Sequence, residues 1–434
     1  MNQHVSALLI GLVGAGITLS ASLQPFVSPT QCVTIGLLVI IFGLLVKEGF
    51  ISLSLLVYSK DGRSRNLRWN GNGATSSIEC GVFLHDSPLS TNSSSSSSPS
   101  VASTLRSWIA LNMKESNLSR GNLDQLLVAA EEGGEKMIKV KKDGSADFKT
   151  VTDAVNSIPS GNARRVVIWI GGGEFWEKIT IDRTKKFVTF YGDPYNMPRI
   201  VYNGTAADYG TVNSATVAVE SDYFVAVNVA FVNSAPIPDG RRCGAQAVAM
   251  RISGDKAAFY NCRFIGYQDT LCDDKGRHFF QDCYIQGTVD FIFGNGKSLY
   301  LNTTMYSVAK KFGAITAQAR EKVNDDSGFT FVFCNITGIG NNTTYLGRAW
   351  KERPRVVFAR TYMGTIINGE GWSNDRHPDR DRTVYYGEYK CSGPGSVSSA
   401  RVKFARILSD EEAKLFMSMT YIHGSNWLLP PPKF

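Results

Sequence analysis

The sequence predicts an all-β fold, a solenoid with short capping helices at its ends, and three observations carry that prediction. First, Gln246 to Gly296 holds an internal repeat: Phe259-Tyr-Asn-Cys262-Arg-Phe264-Ile-Gly266-Tyr-Gln268-Asp269 shifted by 21 positions falls on Phe280-Gln-Asp-Cys283-Tyr-Ile285-Gln-Gly287-Thr-Val-Asp290. One offset aligns six pairs, ending with Asp269 on Asp290. Second, the stretch has short apolar alternation and glycine punctuation but no helix-length segment, which at a period near twenty residues is the signature of a β-solenoid coil. Third, helix signals flank the strand-like region, where the apolar interior of an end coil would otherwise meet water.

In chain order, residues 1–46 carry no Asp, Glu, Lys or Arg and contain two apolar runs, Val5 to Leu23 and Val33 to Val46. The first run has the length of a signal peptide or membrane anchor. Residues 1–58 are therefore read as an apolar leader. From Lys60 the composition turns polar and ends in six serines, Ser93 to Ser98, so 59–100 reads as a linker. The catalytic domain is expected over 101–434. Asp147 is expected to cap a short helix with Phe148, Val151, Ala154, Val155 and Ile158 on one face, closed by Pro159. Strand-like runs follow at Val166–Ile170, Phe187–Tyr191, Thr216–Val219, Phe224–Val232, Ser298–Leu301, Phe329–Phe333 and Val356–Ala359. Ser409-Asp-Glu-Glu412 is a capping box that opens a closing helix. The five histidines are isolated in sequence, and surface or turn roles are expected for them, His278 included.

The repeat has a chemical consequence. Equivalent residues on successive coils stack about 4.8 Å apart, so Asp269 and Asp290 would be neighbours. Two carboxylates that close cannot both ionise cheaply; one pKa should rise while the other stays low, pairing an acid with a nucleophile. The plainer alternative makes both aspartates turn residues.

Composition narrows the partners. The 434 residues include 46 basic and 38 acidic side chains, a formal charge of +8, which suits an anionic partner. The basic residues are scattered and form no arm, so nucleic acid is not expected, whereas an acidic polysaccharide fits the same field. The eight cysteines show no C-x-x-C pair, and no metal or other cofactor is expected. Sequons at Asn92, Asn117, Asn203, Asn302, Asn335, Asn341 and Asn342 agree with a secretory route.

Four ordered blocks, Gln246-Ala-Val-Ala-Met-Arg251, Gly266-Tyr-Gln268-Asp269-Thr-Leu271, Gly287-Thr-Val-Asp290-Phe-Ile-Phe-Gly294 and Leu346-Gly-Arg348-Ala-Trp350, resemble the signatures of plant pectin methylesterases. The resemblance runs from about Leu105 to the end of the chain. It implies a right-handed parallel β-helix that hydrolyses the C6 methyl ester of galacturonate in methylesterified pectin, in a secreted cell-wall enzyme. It also implies Asp290 as nucleophile, Asp269 as general acid and then base, Gln246 and Gln268 as oxyanion donors, Arg348 as the cation that holds Asp290, and Trp350 and Thr211 as substrate contacts. A proteinaceous inhibitor is an implied partner, a monomer is expected, and the chain resembles the shorter family type without an N-terminal inhibitor-like domain. Three departures stand out: Cys272 and Phe175 where the family has Tyr, and Ala349 where it has Pro. Cys272 is expected to remove an aromatic wall of the cleft and Ala349 to loosen the backbone beside Arg348. Two rival functions share the pattern: a retaining glycosidase, whose carboxylates lie about 5 Å apart, and a non-catalytic binder of acidic glycan.

Overall fold

The computed structural model describes residues 57–58, 64–65, 101–112 and 122–432. The chain forms two compact units, Met1–Ser95 and Ser96–Phe434. In the first, Val57–Tyr58 pairs antiparallel with Ser64–Arg65. The remainder of the apolar leader and nearly all of the Ser-rich linker lie outside the described residues. No helix among the described residues is long and apolar enough to cross a membrane.

The second unit is a parallel β-helix. Eight coils contribute one strand to each of three sheets of eleven, eight and eight strands, the largest gaining Lys136–Val140, Tyr385–Tyr389 and Ala405–Ile407 at its ends, and within a sheet every strand pairs with the one a full coil later. The repeat sets the register as expected: Phe259 lies opposite Phe280, and Phe264 opposite Ile285. Alternation along each strand sends every second side chain inward. Inward rings then stack from coil to coil: Phe259 on Phe280 at 4.7 Å, Phe280 on Tyr300 at 4.4 Å, Tyr300 on Phe331 at 4.5 Å and Phe331 on Phe358 at 4.5 Å between centroids. Such ring pairs add about 1 kcal/mol each beyond the area they bury.

A sharp bend after seven of the eleven strands of the largest sheet has left-handed backbone. Asn228, Asn261, Asp282, Asn302, Phe333, Arg360 and Lys390 supply it, with φ between 45 and 57°. Asn and Asp tolerate this region better than other side chains. The next residue turns inward, and where it is Cys262, Cys283, Cys334 or Cys391 its thiol donates to the carbonyl two residues back, at 3.4 to 3.7 Å. Gly287 is required for a different reason. A Cβ there would lie 2.1 Å from that of Phe291.

A helix covers the N-terminal coil, with one shift from expectation, whereas the C-terminal helix expected at the other end packs with Leu299, Val332 and Val357 on the face of the largest sheet. The entry helix runs Val151–Asn156 and its cap is Thr150, whose hydroxyl accepts from the Asp153 N–H. Asp147 instead accepts from the Lys139 N–H at 2.8 Å, because Phe148 still bridges to Val140 and the chain is not yet free to turn. Helices Val101–Asn112 and Gln125–Glu132, not anticipated from the sequence, place Trp108, Leu127 and Ala130 in a second core with Phe416, Trp427 and Leu428. The Ser409–Glu412 capping box is formed and starts Asp410–Phe416.

His278 overturns its expected surface role. It is fully buried, with Nδ1 at 2.6 Å from Asp273 Oδ1 and Nε2 at 2.9 Å from the Gly254 carbonyl. The other Asp273 oxygen accepts from the Tyr300 hydroxyl at 2.6 Å. Its alternation points the ring into the solenoid, and the strand-end carboxylate makes that tolerable.

Candidate active site

The eight-strand sheet that contains Leu271–Asp273, Val289–Gly294 and Thr344–Arg348 carries the cleft on its outer face. Its outward column reads Ala218, Arg251, Cys272, Phe293, Ala317 on successive coils. The pairing of Leu271 with Ile292 and Cys272 with Phe293 extends the 21-residue offset to Asp269 and Asp290. Both aspartates have left-handed backbone, φ 64° and 52°. Asp290 also falls where the register with the next coil shifts, between Val289 and Ile292. This irregularity re-aims the side chain, as bulges beside functional sites do.

All seven residues singled out in the sequence, Thr211, Gln246, Gln268, Asp269, Asp290, Arg348 and Trp350, line one cleft of about 170 Å³, together with Val212, Phe293 and Ala317. Asp269 and Asp290 are 8% and 5% exposed. Arg348 grips Asp290 through Nε, at 2.7 and 3.0 Å from its two oxygens, and through Nη2. The opposite side of the guanidinium, Nη1, donates to Asp375 Oδ1 at 2.9 Å. Asp375 gave no signal in the sequence. Its left-handed backbone is held by its N–H bond to Ser373 Oγ.

Asp269 has no such grip. Its Oδ1 is buried and without a hydrogen-bond partner among the described residues, as is Gln246 Oε1. Burial raises the Asp269 pKa well above the usual carboxylate value, and the Asp290 charge adds to the shift while Arg348 opposes it. Burial also raises Asp290, against the bonds and charge of Arg348. The expectation that Asp290 stays low is thus corrected. Loss of solvent acts on both acids, and Arg348, which hydrogen-bonds only Asp290, leaves Asp269 the more strongly shifted.

Cys272 is buried beside Phe293 and Ala317 and does not line the cleft, whose aromatic lining is Phe293, one coil on, and Trp350. A second departure from the family pattern proves different from expectation. Ala349 does not loosen the chain. Its N–H donates to the Ser373 carbonyl at 2.8 Å, a bond proline could not make, and its own carbonyl accepts from Arg380. Phe175 is buried in the main core. Trp350 is 43% exposed at the rim, with Lys351 Nζ 5.0 Å from its ring centre.

Fold and cleft define a class, a β-helix hydrolase with buried acids in an open groove. A family model described as Pectinesterase matches residues 137–425, and the chain belongs to the pectinesterase family. It is similar to Putative pectinesterase 63 of Arabidopsis thaliana, 57% identical over 295 residues that cover 68% of this chain and 87% of that protein. Similarity to Pectinesterase 2 of Olea europaea is 49% over 360 residues, 82% of this chain and 97% of that one. Among solved structures, the pectin methylesterase from carrot superimposes with a TM-score of 0.63 at 34% identity, over 68% of this chain and 97% of that chain. The coil is accordingly the right-handed parallel β-helix, and the chain is a carboxylic ester hydrolase of the pectin methylesterase type.

Proposed function

We propose that Asp290 is the nucleophile and Asp269 the proton carrier of this esterase, acting on the C6 methyl esters of galacturonan. The observation that supports the division is the asymmetry of the two acids: Arg348 hydrogen-bonds Asp290, whereas one Asp269 oxygen has no hydrogen-bond partner among the described residues. The ionised Asp290 attacks the ester carbonyl. Amide N–H groups of Gln246 and Gln268 receive the oxyanion, a contact worth about 3 kcal/mol per donor in comparable sites. Protonated Asp269 gives its proton to the departing methoxide, and methanol leaves an acyl-enzyme on Asp290. Asp269, now a carboxylate, takes a proton from water as that water attacks the acyl carbon, which frees Asp290 and the galacturonate. Trp350 offers a ring face to a sugar, and Thr211 lines the same cleft.

The same reading makes the chain a secreted, monomeric wall enzyme that acts on methylesterified pectin and is held in check by a protein inhibitor. Its apolar leader serves as signal or single anchor. The test measures methanol against new reducing ends on methylated pectin. Methanol without reducing ends is expected; reducing ends without methanol would favour a glycosidase, and pectate binding with neither product a non-catalytic binder.

A further inference from the structure

Trp176, Tyr202 and Tyr209 form an exposed aromatic group around the corner from the cleft. Trp176 ends a strand in which Phe175 points into the core, so its ring points out, 55% exposed, and Tyr209 is 42% exposed. The Tyr202 ring lies 6.4 Å from each of the other two, and its hydroxyl is 3.1 Å from that of Tyr209. Lys178 Nζ sits 5.0 Å above the Tyr209 ring.

This group is continuous with the site. Tyr209 ends the helical turn Ala206–Tyr209, two residues before Thr211, and that turn is bonded to the segment carrying Gln246: Ala206 N–H to the Gln246 carbonyl at 2.8 Å, Ala207 N–H to that of Gly244 at 2.9 Å. Lys178 makes no ion pair among the described residues. Burial and the neighbouring charge of Arg251 pull its pKa below the usual lysine range. Arg251 itself is already engaged, 3.5 Å from Glu220 and 3.7 Å from Asp274. An ammonium with a like charge beside it and no anion is a place for a carboxylate to bind. Adjacent aromatic faces with polar tips suit pyranose rings, which present C–H to a ring and hydroxyls to its edge.

We propose that Trp176, Tyr209 and Lys178 form an outlying subsite for a free galacturonate of the same polymer chain whose methyl ester occupies the cleft, the sugar ring against the aromatics and its carboxylate on Lys178. The subsite rests on the esterase reading above and adds a preference: the enzyme favours a polymer with free acids to that side of the scissile ester.

The test compares Trp176→Ala and Lys178→Gln with wild type on partially de-esterified pectin, fully methylated pectin and a short galacturonate methyl ester that cannot reach the corner. Trp176→Ala should raise KM on both polymers about five- to tenfold relative to the short ester. Lys178→Gln should do so only on the partially de-esterified one, and Trp176→Phe and Lys178→Arg should each recover most of the loss. Unchanged KM on both polymers for both variants overturns the subsite. An equal effect of Lys178→Gln on the two polymers overturns its recognition of a carboxylate. If wild type releases no methanol from any substrate, the esterase reading fails instead. The subsite is then judged by oligogalacturonate titration, where unaltered affinity in both variants refutes it.

Discussion

Two buried acid clusters sit four residues apart on one stretch of chain, and they are built on opposite principles. At Asp273 both oxygens are taken, by His278 and Tyr300, and both His278 nitrogens lie against acceptors. The Gly254 carbonyl can only accept, so Nε2 donates; a proton on Nδ1 as well makes the ring a cation. Burial works against that charge, but the Asp273 carboxylate and its hydrogen bond outweigh it and raise the pKa. At Asp269, by contrast, one oxygen is left unmatched and a second acid lies one coil away. A fully matched polar cluster holds a fold together, while an incompletely matched one keeps bonding capacity for something that arrives. The inward cluster is architecture and the outward one is where we place the chemistry.

The contrast can be broken by substitution. Asp290→Asn should abolish the nucleophile and lower methanol release by at least about 10⁴-fold. Its melting temperature should hold, because Asn accepts the left-handed backbone and Arg348 keeps Asp375. Activity within tenfold of wild type would refute the role. Asp269→Asn should cost about 10³-fold, and an aryl ester, whose leaving group needs no proton, should recover much of the first step in a burst assay. The reverse pattern is expected at the other cluster. His278→Gln should destabilise the fold by about 3 kcal/mol in urea unfolding, since it strands a buried carboxylate, with turnover per folded molecule close to wild type. Asp375→Asn should lower kcat about tenfold, the loss of one charge-assisted bond to Arg348, and shift the pH profile without altering KM in proportion.

The smallest effect is in pH. A histidine whose folded pKa is raised contributes stability that is complete below its ordinary value near 6.5 and lost as pH climbs through the folded one. Unfolding free energy should therefore decline above that point in wild type and be flatter in His278→Gln. The raised acids of the cleft have the same sign from about pH 4 upward. Asp290→Asn should remove its share of that slope.

Much of this was legible in the sequence, and the exceptions have a common cause. The 21-residue offset located the coil, the register and the two aspartates, because stacking obeys the same period as the sequence. Being a turn residue and lining the cleft do not exclude one another. Asp269 and Asp290 occupy left-handed bends that suit Asp, and the same bends aim them into the cleft. What stayed hidden depended on partners at other separations. Asp375 meets Arg348 across 27 residues, Ala349 gains its hydrogen bond from Ser373, and His278 finds Gly254 24 residues back. The helix Gln125–Glu132 escaped notice because Asp124 forms no side-chain cap and its first turn has no acid.

Seen as a timetable of synthesis, the solenoid has a further consequence. The ribosome delivers Asp269 and Asp290 well before Arg348 and Asp375, and coils can stack as they emerge. Until the strand Thr344–Arg348 docks on Gly313–Gln318, the two neighbouring acids have no guanidinium beside them. The cation that completes the site thus comes with one of the last coils. A chain released before residue 348 would carry both acids without the guanidinium that grips Asp290.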